Sequence, residues 1–74
     1  MSSYAFIENN GIAIDYLGAN YSSVDNFGTL KTETERKFKK VIRTSSGIIA
    51  LGNDQKIYFT EDAINWEAKA NNNT

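Results

Sequence analysis

Short apolar segments separated by turn-forming residues follow one another along the whole chain. The most apolar one, GIIALG at residues 47–52, begins and ends with glycine and is rich in β-branched side chains, which is typical of a buried strand. Residues 53–55 have the composition of a tight turn, and residues 56–60 predict a second strand. Residues 64–69 alternate strictly, with Ile64, Trp66 and Ala68 on one face, and predict a third, half-buried strand. We therefore expect a three-stranded antiparallel meander in the second half of the chain.

The first half of the chain shows the same order of segments. Strands are predicted over residues 4–8, 12–17 and 21–24, followed by an extended segment that begins at Thr29. Asn10-Gly11 is a strong hairpin signal between the first two strands, and residues 18–20 and 25–28 have turn composition. These signals predict a second antiparallel meander.

The segment KTETERKFKKV at residues 31–41 fits two structures. Thr32 and Glu35 have the spacing of a helix capping box, which favours a short helix near residues 32–42 and an α+β fold. The alternation of Leu30, Thr32 and Thr34 with charged residues favours a strand instead. We favour the strand, ending near Glu35, with a turn near residues 36–37 and a new strand over residues 38–44.

An internal repeat supports that choice. Residues 11–14 match residues 47–50 at an offset of 47 − 11 = 36, and residues 21–25 match residues 58–62 at an offset of 58 − 21 = 37. Such self-similarity is the mark of a repeat architecture. We predict one all-β domain over residues 1–70, with about eight short antiparallel strands in two related sheets. The first repeat spans about 4–35 and the second about 38–69, and the Asn-rich residues 71–74 are expected to be a disordered tail.

The turn before the tryptophan resembles a known motif. Residues 60–66, TEDAINW, resemble the Asp-box hairpin of sialidase-like β-propellers in its short form, Ser/Thr-x-Asp-Gly-x-x-Trp. In that family the aspartate accepts backbone N–H bonds within the turn and the tryptophan packs between neighbouring sheets. The resemblance implies that Thr60 and Asp62 hold the turn and that Trp66 is a core residue. Ala63 stands where the family usually has glycine.

The first repeat resembles the longer form of the same motif. Residues 23–30, SVDNFGTL, follow the pattern Ser-x-Asp-x-Gly-x-Thr-Trp, with Asp25 in place, Phe27 for the glycine and Leu30 for the tryptophan. The motif is structural in its family, so the resemblance implies two propeller-blade-like repeats and no particular chemistry.

Composition argues against catalysis. The 74 residues include no Cys and no His, which excludes disulfides and thiolate metal sites and removes the commonest metal ligand and general base. The four aspartates are all expected at turns or exposed strand positions, where Asp is ordinarily structural. A sialidase would also need more repeats and an arginine cluster. We expect no enzyme, no catalytic residue, no metal site and no cofactor.

The charge is unevenly distributed. Residues 31–43 carry six basic and two acidic side chains, 6 − 2 = +4, against a total of −1, so the rest of the chain carries −1 − 4 = −5. Glutamates interrupt this basic run, which disfavours nucleic-acid binding. No apolar run approaches the roughly 20 residues of a membrane span, and no secretory signal is evident at the N-terminus. We expect a soluble protein, cytoplasmic or associated with a virion.

Two repeats cannot close a propeller, which typically has about four to eight blades. Open ends would expose strand edges and apolar faces, so we expect a protein partner, either further copies in a homo-oligomer or a larger assembly. The leading expectation is a non-enzymatic structural or interaction module, such as an accessory component of a phage particle. One alternative is a small inhibitor or regulator that binds through the basic surface, with Lys37, Phe38, Lys39 and Lys40 as contact residues. Another is a lectin-like module that stacks sugars on aromatic rings.

Overall fold

Two four-stranded antiparallel sheets make up the protein. The computed structural model describes residues 3–34 and 37–71, and the strand order is β1-β2-β3-β4 in the first sheet and β5-β6-β7-β8 in the second. The strands are β1 (Ser3–Ile7), β2 (Asn10–Ile14), β3 (Asn20–Ser23), β4 (Lys31–Glu33), β5 (Phe38–Thr44), β6 (Gly47–Gly52), β7 (Lys56–Thr60) and β8 (Glu67–Asn71).

The all-β prediction is confirmed, and the alternative of a helix near residues 32–42 is wrong. Residues 31–33 and 38–44 are strands, and no helix occurs in the ranges 3–34 and 37–71. In a helix, charged side chains four residues apart, such as Glu33 and Lys37, would contribute only about 0.2–0.5 kcal/mol per pair. That contribution is smaller than the free energy gained when Phe38 and Val41 of β5 are buried in the core. The turn predicted near residues 36–37 falls partly on residues outside the described ranges.

Strands β1 to β3 correspond to β5 to β7 at an offset of 37 residues. Strand β4 corresponds to β8 at an offset of 68 − 32 = 36, because Tyr21 pairs with Thr32 and Tyr58 pairs with Ala68. Ala13 pairs with Tyr21 across β2 and β3. Ala50 pairs with Tyr58 at the corresponding positions of β6 and β7. The same offset holds across the first two strands of each sheet, where Ile7 pairs with Asn10 and residue 44 pairs with residue 47. The sequence match of Gly11 with residue 47 was therefore one residue out, because Asn10 holds the corresponding position.

One hydrophobic core fills the space between the sheets. Strands β1 and β2 pack against β5, and β1 also contacts β6. The buried residues of this core are Ala5, Ile12 and Ile14 from the first sheet and Phe38, Val41, Ile48, Ala50 and Ala63 from the second, with Ile7, Tyr58 and Trp66 packed against them.

The two faces that meet in this core are not equivalent. Ala5 faces the core, whereas its counterpart in the second sheet, Ile42, is exposed on the outside. Val41 faces the core, whereas its counterpart in the first sheet, Tyr4, is exposed on the outside. The two sheets therefore stack in the same orientation. The inner side of the first sheet corresponds to the outer side of the second sheet, and corresponding sides do not meet.

Three polar side chains of the first sheet bind the backbone of the second. The Ser3 hydroxyl donates to the Val41 carbonyl oxygen at 3.1 Å and accepts from the Val41 N–H at 3.2 Å. The Asn20 amide makes the same double contact with Phe38, and the Asn10 amide donates to the Asp62 carbonyl oxygen at 3.1 Å. These bonds satisfy backbone groups where one sheet covers the other, and so fix the relative position of the sheets.

Two predicted strand boundaries are wrong. Residues 61–65 form a turn and β8 begins only at residue 67, so the alternation of residues 64–69 does not describe a half-buried strand. Ile64 and Ala68 are exposed. Strand β2 ends at residue 14, and Tyr16 and Leu17 are exposed in the turn that follows. Strand β8 extends to Asn71, the first residue of the predicted tail, and residues 72–74 lie outside the described ranges.

Candidate functional site

The turn between β7 and β8 is held by two side chains. The Thr60 hydroxyl accepts the N–H groups of Asp62 and Ala63, at 3.3 and 2.9 Å, and donates to Asp62 Oδ1 at 3.0 Å. The same oxygen of Asp62 accepts the N–H groups of Ile64 and Asn65, both at 2.9 Å. These backbone donors, first that of Asn65, hold the pKa of the Asp62 carboxyl well below its usual range, so the group is ionised in the turn.

The turn between β3 and β4 has the same construction. The Ser23 hydroxyl accepts the N–H groups of Asp25 and Phe27, at 3.2 and 2.9 Å, and donates to Asp25 Oδ1 at 2.7 Å. Asp25 Oδ1 also accepts the Thr29 N–H at 2.8 Å. The Ser23 hydroxyl, followed by the Thr29 N–H, lowers the pKa of the Asp25 carboxyl. Asp25 and Asp62 thus both accept backbone N–H groups within their turns.

The glycine position of both turns is filled by a residue with left-handed backbone geometry. Ala63 has φ of 65° and Phe27 has φ of 66°. Such angles are strained for residues with a β-carbon. The Phe27 ring lies over Gly11, where an added β-carbon would come within 2.6 Å of it. Gly11 therefore leaves room for Phe27, while its counterpart Ile48 carries its own side chain into the core.

Trp66 and its counterpart occupy different environments. Trp66 is half-buried and packs against the core, with 4.7 Å between the centroids of its ring and that of Phe38. Leu30, which takes the place of the tryptophan in the first repeat, is exposed. The difference follows from the stacking, because this side of the second sheet is covered by the first sheet.

The lysines of the predicted basic surface are exposed, whereas its aromatic residue is buried. Lys37, Lys39 and Lys40 are exposed, as a surface for a partner requires. Phe38 is only 2% exposed and contacts the rings of Tyr58 and Trp66. The prediction that Phe38 contacts a partner is therefore wrong, because burial of the ring in the intersheet core is favoured over its exposure among charged side chains.

The outer side of the first sheet is an exposed aromatic surface, which we call the tail face. Tyr4 is 59% exposed and Phe6 is 40% exposed, and their rings stack at a centroid distance of 6.4 Å. The Phe6 ring meets the edge of Phe27 at 5.7 Å. The tail face comprises Tyr4, Phe6, Tyr21, Phe27 and Leu30.

The outer side of the second sheet is an exposed aliphatic surface, which we call the head face. Ile42 is 51% exposed, and its cross-strand partner Ile49 is 39% exposed. Ile49 in turn pairs with Phe59, whose ring has the Lys69 ammonium 5.7 Å from its centroid. The head face comprises Ile42, Ile49, Leu51, Ile57 and Phe59, with Lys40 at its β5 end.

The sequence indicated these faces only in part. The sequence indicates an excess of aromatic surface, because a small meander does not readily cover Tyr4, Phe6, Phe27, Phe59 and Trp66. The two exposed isoleucines were missed, although the adjacent apolar pairs Val41-Ile42 and Ile48-Ile49 were a usable signal. Adjacent apolar residues on a strand point to opposite faces, so such pairs indicate a sheet that is apolar on both sides.

Two further aspartates of the described ranges also accept hydrogen bonds at turns. Asp15 accepts the Leu17 and Ala19 N–H groups, both at 2.9 Å, and Asp54 accepts the Tyr58 hydroxyl at 2.7 Å. A cleft of about 450 Å³ lies beside the Asp62 turn, and one of about 130 Å³ lies at the matching position beside the Asp25 turn.

Across residues 3–34 and 37–71, no group of three His, Cys, Asp or Glu side chains is placed to hold a metal ion. Those residues also include no helix that could cross a membrane.

Comparison with protein-family models, with curated proteins and with solved structures finds no match to this chain. The resemblance to the Asp-box rests on the turn residues alone and stays a prediction.

Proposed function

We propose that this protein is a non-enzymatic assembly module that works by burying its two apolar outer faces against neighbouring proteins. The observation that supports this most directly is the head face. Ile42 and Ile49 are large aliphatic side chains that form a cross-strand pair and are each exposed by more than a third. A contiguous apolar sheet face of this kind is typical of a surface that meets another protein.

The tail face supports the same proposal from the other side of the molecule. Its rings already contact one another, because Tyr4 stacks on Phe6 and Phe6 packs against Phe27. Aromatic residues in such clusters are enriched at the centres of protein interfaces. The aspartates, by contrast, hold turns, so we assign them no catalytic role.

We further propose that the two sheets are propeller-blade-like repeats of the Asp-box type. The support is the matching hydroxyl–aspartate turn at the same place in both sheets, with Ser23 and Asp25 in one and Thr60 and Asp62 in the other. The proposed role as an accessory component of a phage particle has narrower support. It rests on a short, Asn-rich, Cys-free chain with internal repeats.

The test is the native mass of the protein in an extract of its source, measured by size-exclusion chromatography with light scattering and detection of the tagged chain. We expect a mass above that of one chain, and a return to one chain when Ile49→Lys and Tyr4→Lys are combined. Ser45→Glu, at an exposed hairpin tip, is the matched control and should leave the mass unchanged. A wild-type protein that elutes as one chain in the extract would contradict the proposal.

The same experiment separates the assembly module from an inhibitor that binds through the basic surface. Charge reversal at Lys37 and Lys39, the basic-surface lysines that lie outside the head face, should disrupt a complex held by that surface, and the disruption should resemble the effect of added salt. We expect the charge-reversed protein still to have a native mass above that of one chain, and we expect this complex to be lost when Ile49→Lys is added. Loss of the complex in this variant alone would favour the inhibitor.

A further inference from the structure

The contact between the two sheets within one chain is a template for a contact between two chains. In this contact, the side of the first sheet that carries Ala5 and Ile12 packs on the side of the second sheet that carries Val41 and Ile48. These two sides are not counterparts of each other in the repeat. Because strands β1 to β3 correspond to β5 to β7 at an offset of 37 residues, each exposed outer face is the counterpart of a face that is buried inside. The head face corresponds to the inward side of the first sheet, and the tail face corresponds to the inward side of the second sheet.

We propose that a second copy of this chain places its head face on the tail face of the first copy, repeating the internal contact between the sheets. This inference rests on the proposed assembly function and adds the identity of the partner and the faces that meet. Such a contact is heterologous, meaning that it joins two different surfaces of identical chains. Two, three or four chains joined in this way would contribute four, six or eight sheets, within the range of about four to eight blades in closed propellers.

The side chains on the two faces suit each other. Inside the chain, Ala5 and Ile12 pack with Val41 in the core. Their counterparts on the head face are Ile42 and Ile49, which keep or enlarge the apolar side chain. The counterpart of Ile48 on the tail face is Gly11, and the Phe27 ring lies over that position. The aromatic tail face therefore offers apolar surface at the place where the head face would pack.

The polar contacts of the internal interface are not repeated. Asn20 and Asn10 bind backbone of the second sheet, but their counterparts on the head face are Ile57 and Gly47. The contact between copies is therefore held mainly by apolar burial. We expect its dissociation constant to change little with salt, because the screening of charges does not weaken apolar burial.

One charged residue has a defined place in this contact. Ser3 lies against Val41 inside the chain, and the counterparts of these two residues are Lys40 and Tyr4. Lys40 of one copy would therefore lie beside Tyr4 of the next, where its ammonium can rest on the ring of the tyrosine. A tail-to-tail or head-to-head dimer would not bring these two residues together.

The test uses one variant that blocks each face. Tyr4→Lys places a charge on the tail face, and Ile49→Lys places a charge on the head face. We expect wild type to have the native mass of two, three or four chains in sedimentation and native mass spectrometry. Each variant alone should have the mass of one chain. An equimolar mixture should form a complex of one chain of each variant, because one still has an intact head face and the other an intact tail face.

A second variant tests the residue pairing. Tyr4→Lys should weaken association about tenfold or more, which corresponds to about 1.4 kcal/mol. Adding Lys40→Glu to the same chain should restore association, because the negative charge at position 40 of one copy then lies beside the positive charge at position 4 of the next. Lys37→Glu is the matched control, since this lysine lies outside β5, and it should restore nothing.

Circular dichroism must show that each variant folds. If Tyr4→Lys or Ile49→Lys unfolds the chain, Leu30→Lys or Ile42→Lys takes its place on the same face. A wild-type protein that remains one chain at micromolar concentration overturns this inference, as does assembly in which the mixed variants fail to combine. The proposed function would still stand in either case if the protein in its source extract has a mass that depends on Ile49.

Discussion

The side-chain amide of Asn20 binds both backbone groups of Phe38. Its oxygen accepts the Phe38 N–H at 2.9 Å, and its nitrogen donates to the Phe38 carbonyl oxygen at 3.2 Å. Asn20 is fully buried, so these bonds form where water has no access. A side chain of the first sheet thus binds the backbone at the start of the second sheet. The residue that it binds, Phe38, is part of the hydrophobic core.

Asn20→Ala should be among the most destabilising substitutions of a polar residue in this chain. It would leave the N–H and carbonyl of Phe38 without their partner in a buried position, at a cost of about 2–4 kcal/mol in the free energy of unfolding. Urea denaturation measures the change. Asn10→Ala is the control, because Asn10 makes a single part-buried bond between the sheets and should cost about 1 kcal/mol. Equal effects of the two substitutions would contradict this account.

Thr60→Val should destabilise the protein although it preserves the shape of the side chain. The Thr60 hydroxyl is the acceptor for the Asp62 and Ala63 N–H groups, and the latter bond is buried. Removing it should cost about 1–3 kcal/mol. Thr60→Ser keeps the hydroxyl and reproduces the residue found at position 23, so it should cost less than half as much. A valine variant as stable as wild type would mean that the hydroxyl does not hold the turn.

Substitutions at Ala63 should depend on backbone geometry more than on size. Glycine relieves the left-handed strain of about 1–2 kcal/mol but loses a buried methyl group and gains unfolded-state freedom, so Ala63→Gly should lie within about 0.5 kcal/mol of wild type. Ala63→Val places a β-branched residue at positive φ and should cost more than about 2 kcal/mol. Thermal or urea unfolding gives both values, and a valine variant as stable as the glycine variant would rule out the strain.

Trp66→Ala should cost about 3 kcal/mol, near the low end for a buried aromatic residue, because the ring is half-buried against Phe38. Leu30→Ala is the matched control at the corresponding position of the first repeat, and it should change stability by less than about 0.5 kcal/mol. Both should be measured in the Ile49→Lys background, so that association does not contribute to stability. A larger effect of Leu30 in that background would contradict the assigned difference in packing.

Acid should weaken the fold through the turn aspartates. The pKa of the Asp62 carboxyl is lower in the folded chain than its ordinary value of 3.8, chiefly because of the Asn65 N–H. The unfolded chain therefore binds more protons in this pH range, and stability falls as the pH falls from about 5 through the folded pKa. Asp62→Asn removes this titrating group and should flatten the acid side of the stability curve measured by urea denaturation.

The control for this acid effect is Glu61→Gln, which removes a charge from the same turn without touching the Asp62 bonds. It should leave the shape of the stability curve as in wild type. An Asp62→Asn variant with an unchanged acid slope would show that the turn carboxylate does not link folding to pH.

Most of the local structure follows from the order of residues. Turn-forming residues divide the chain into strands, and the recurrence of Tyr, a hydroxyl residue and Asp at positions 21–25 and 58–62 predicts two similar sheets. Local hydrogen bonding explains this success, because Ser23 and Thr60 hold their turns with neighbours only a few residues away. At residues 31–33 the local pattern fits a helix as well as a strand, and the internal repeat favours the strand.

The errors fall where distant parts of the chain meet. The lysines on both sides of Phe38 predict a position at the surface, yet the first sheet covers this residue. The alternation of Ile64 with Trp66 predicts a buried face, yet Ile64 lies in an exposed turn. Neither outcome is encoded within a few residues of the position concerned.

The sequence by itself determined the eight strands, the two hydroxyl–aspartate turns and the existence of a repeat, since these depend on contacts between near neighbours. Only the tertiary structure decided which side of each sheet is covered. Both sides of the second sheet are apolar, with Val41 and Ile48 on one side and Ile42 and Ile49 on the other, so hydrophobicity does not distinguish them. The choice is made by the way Ser3 and Asn20 attach the first sheet, which covers one apolar side and leaves the other exposed.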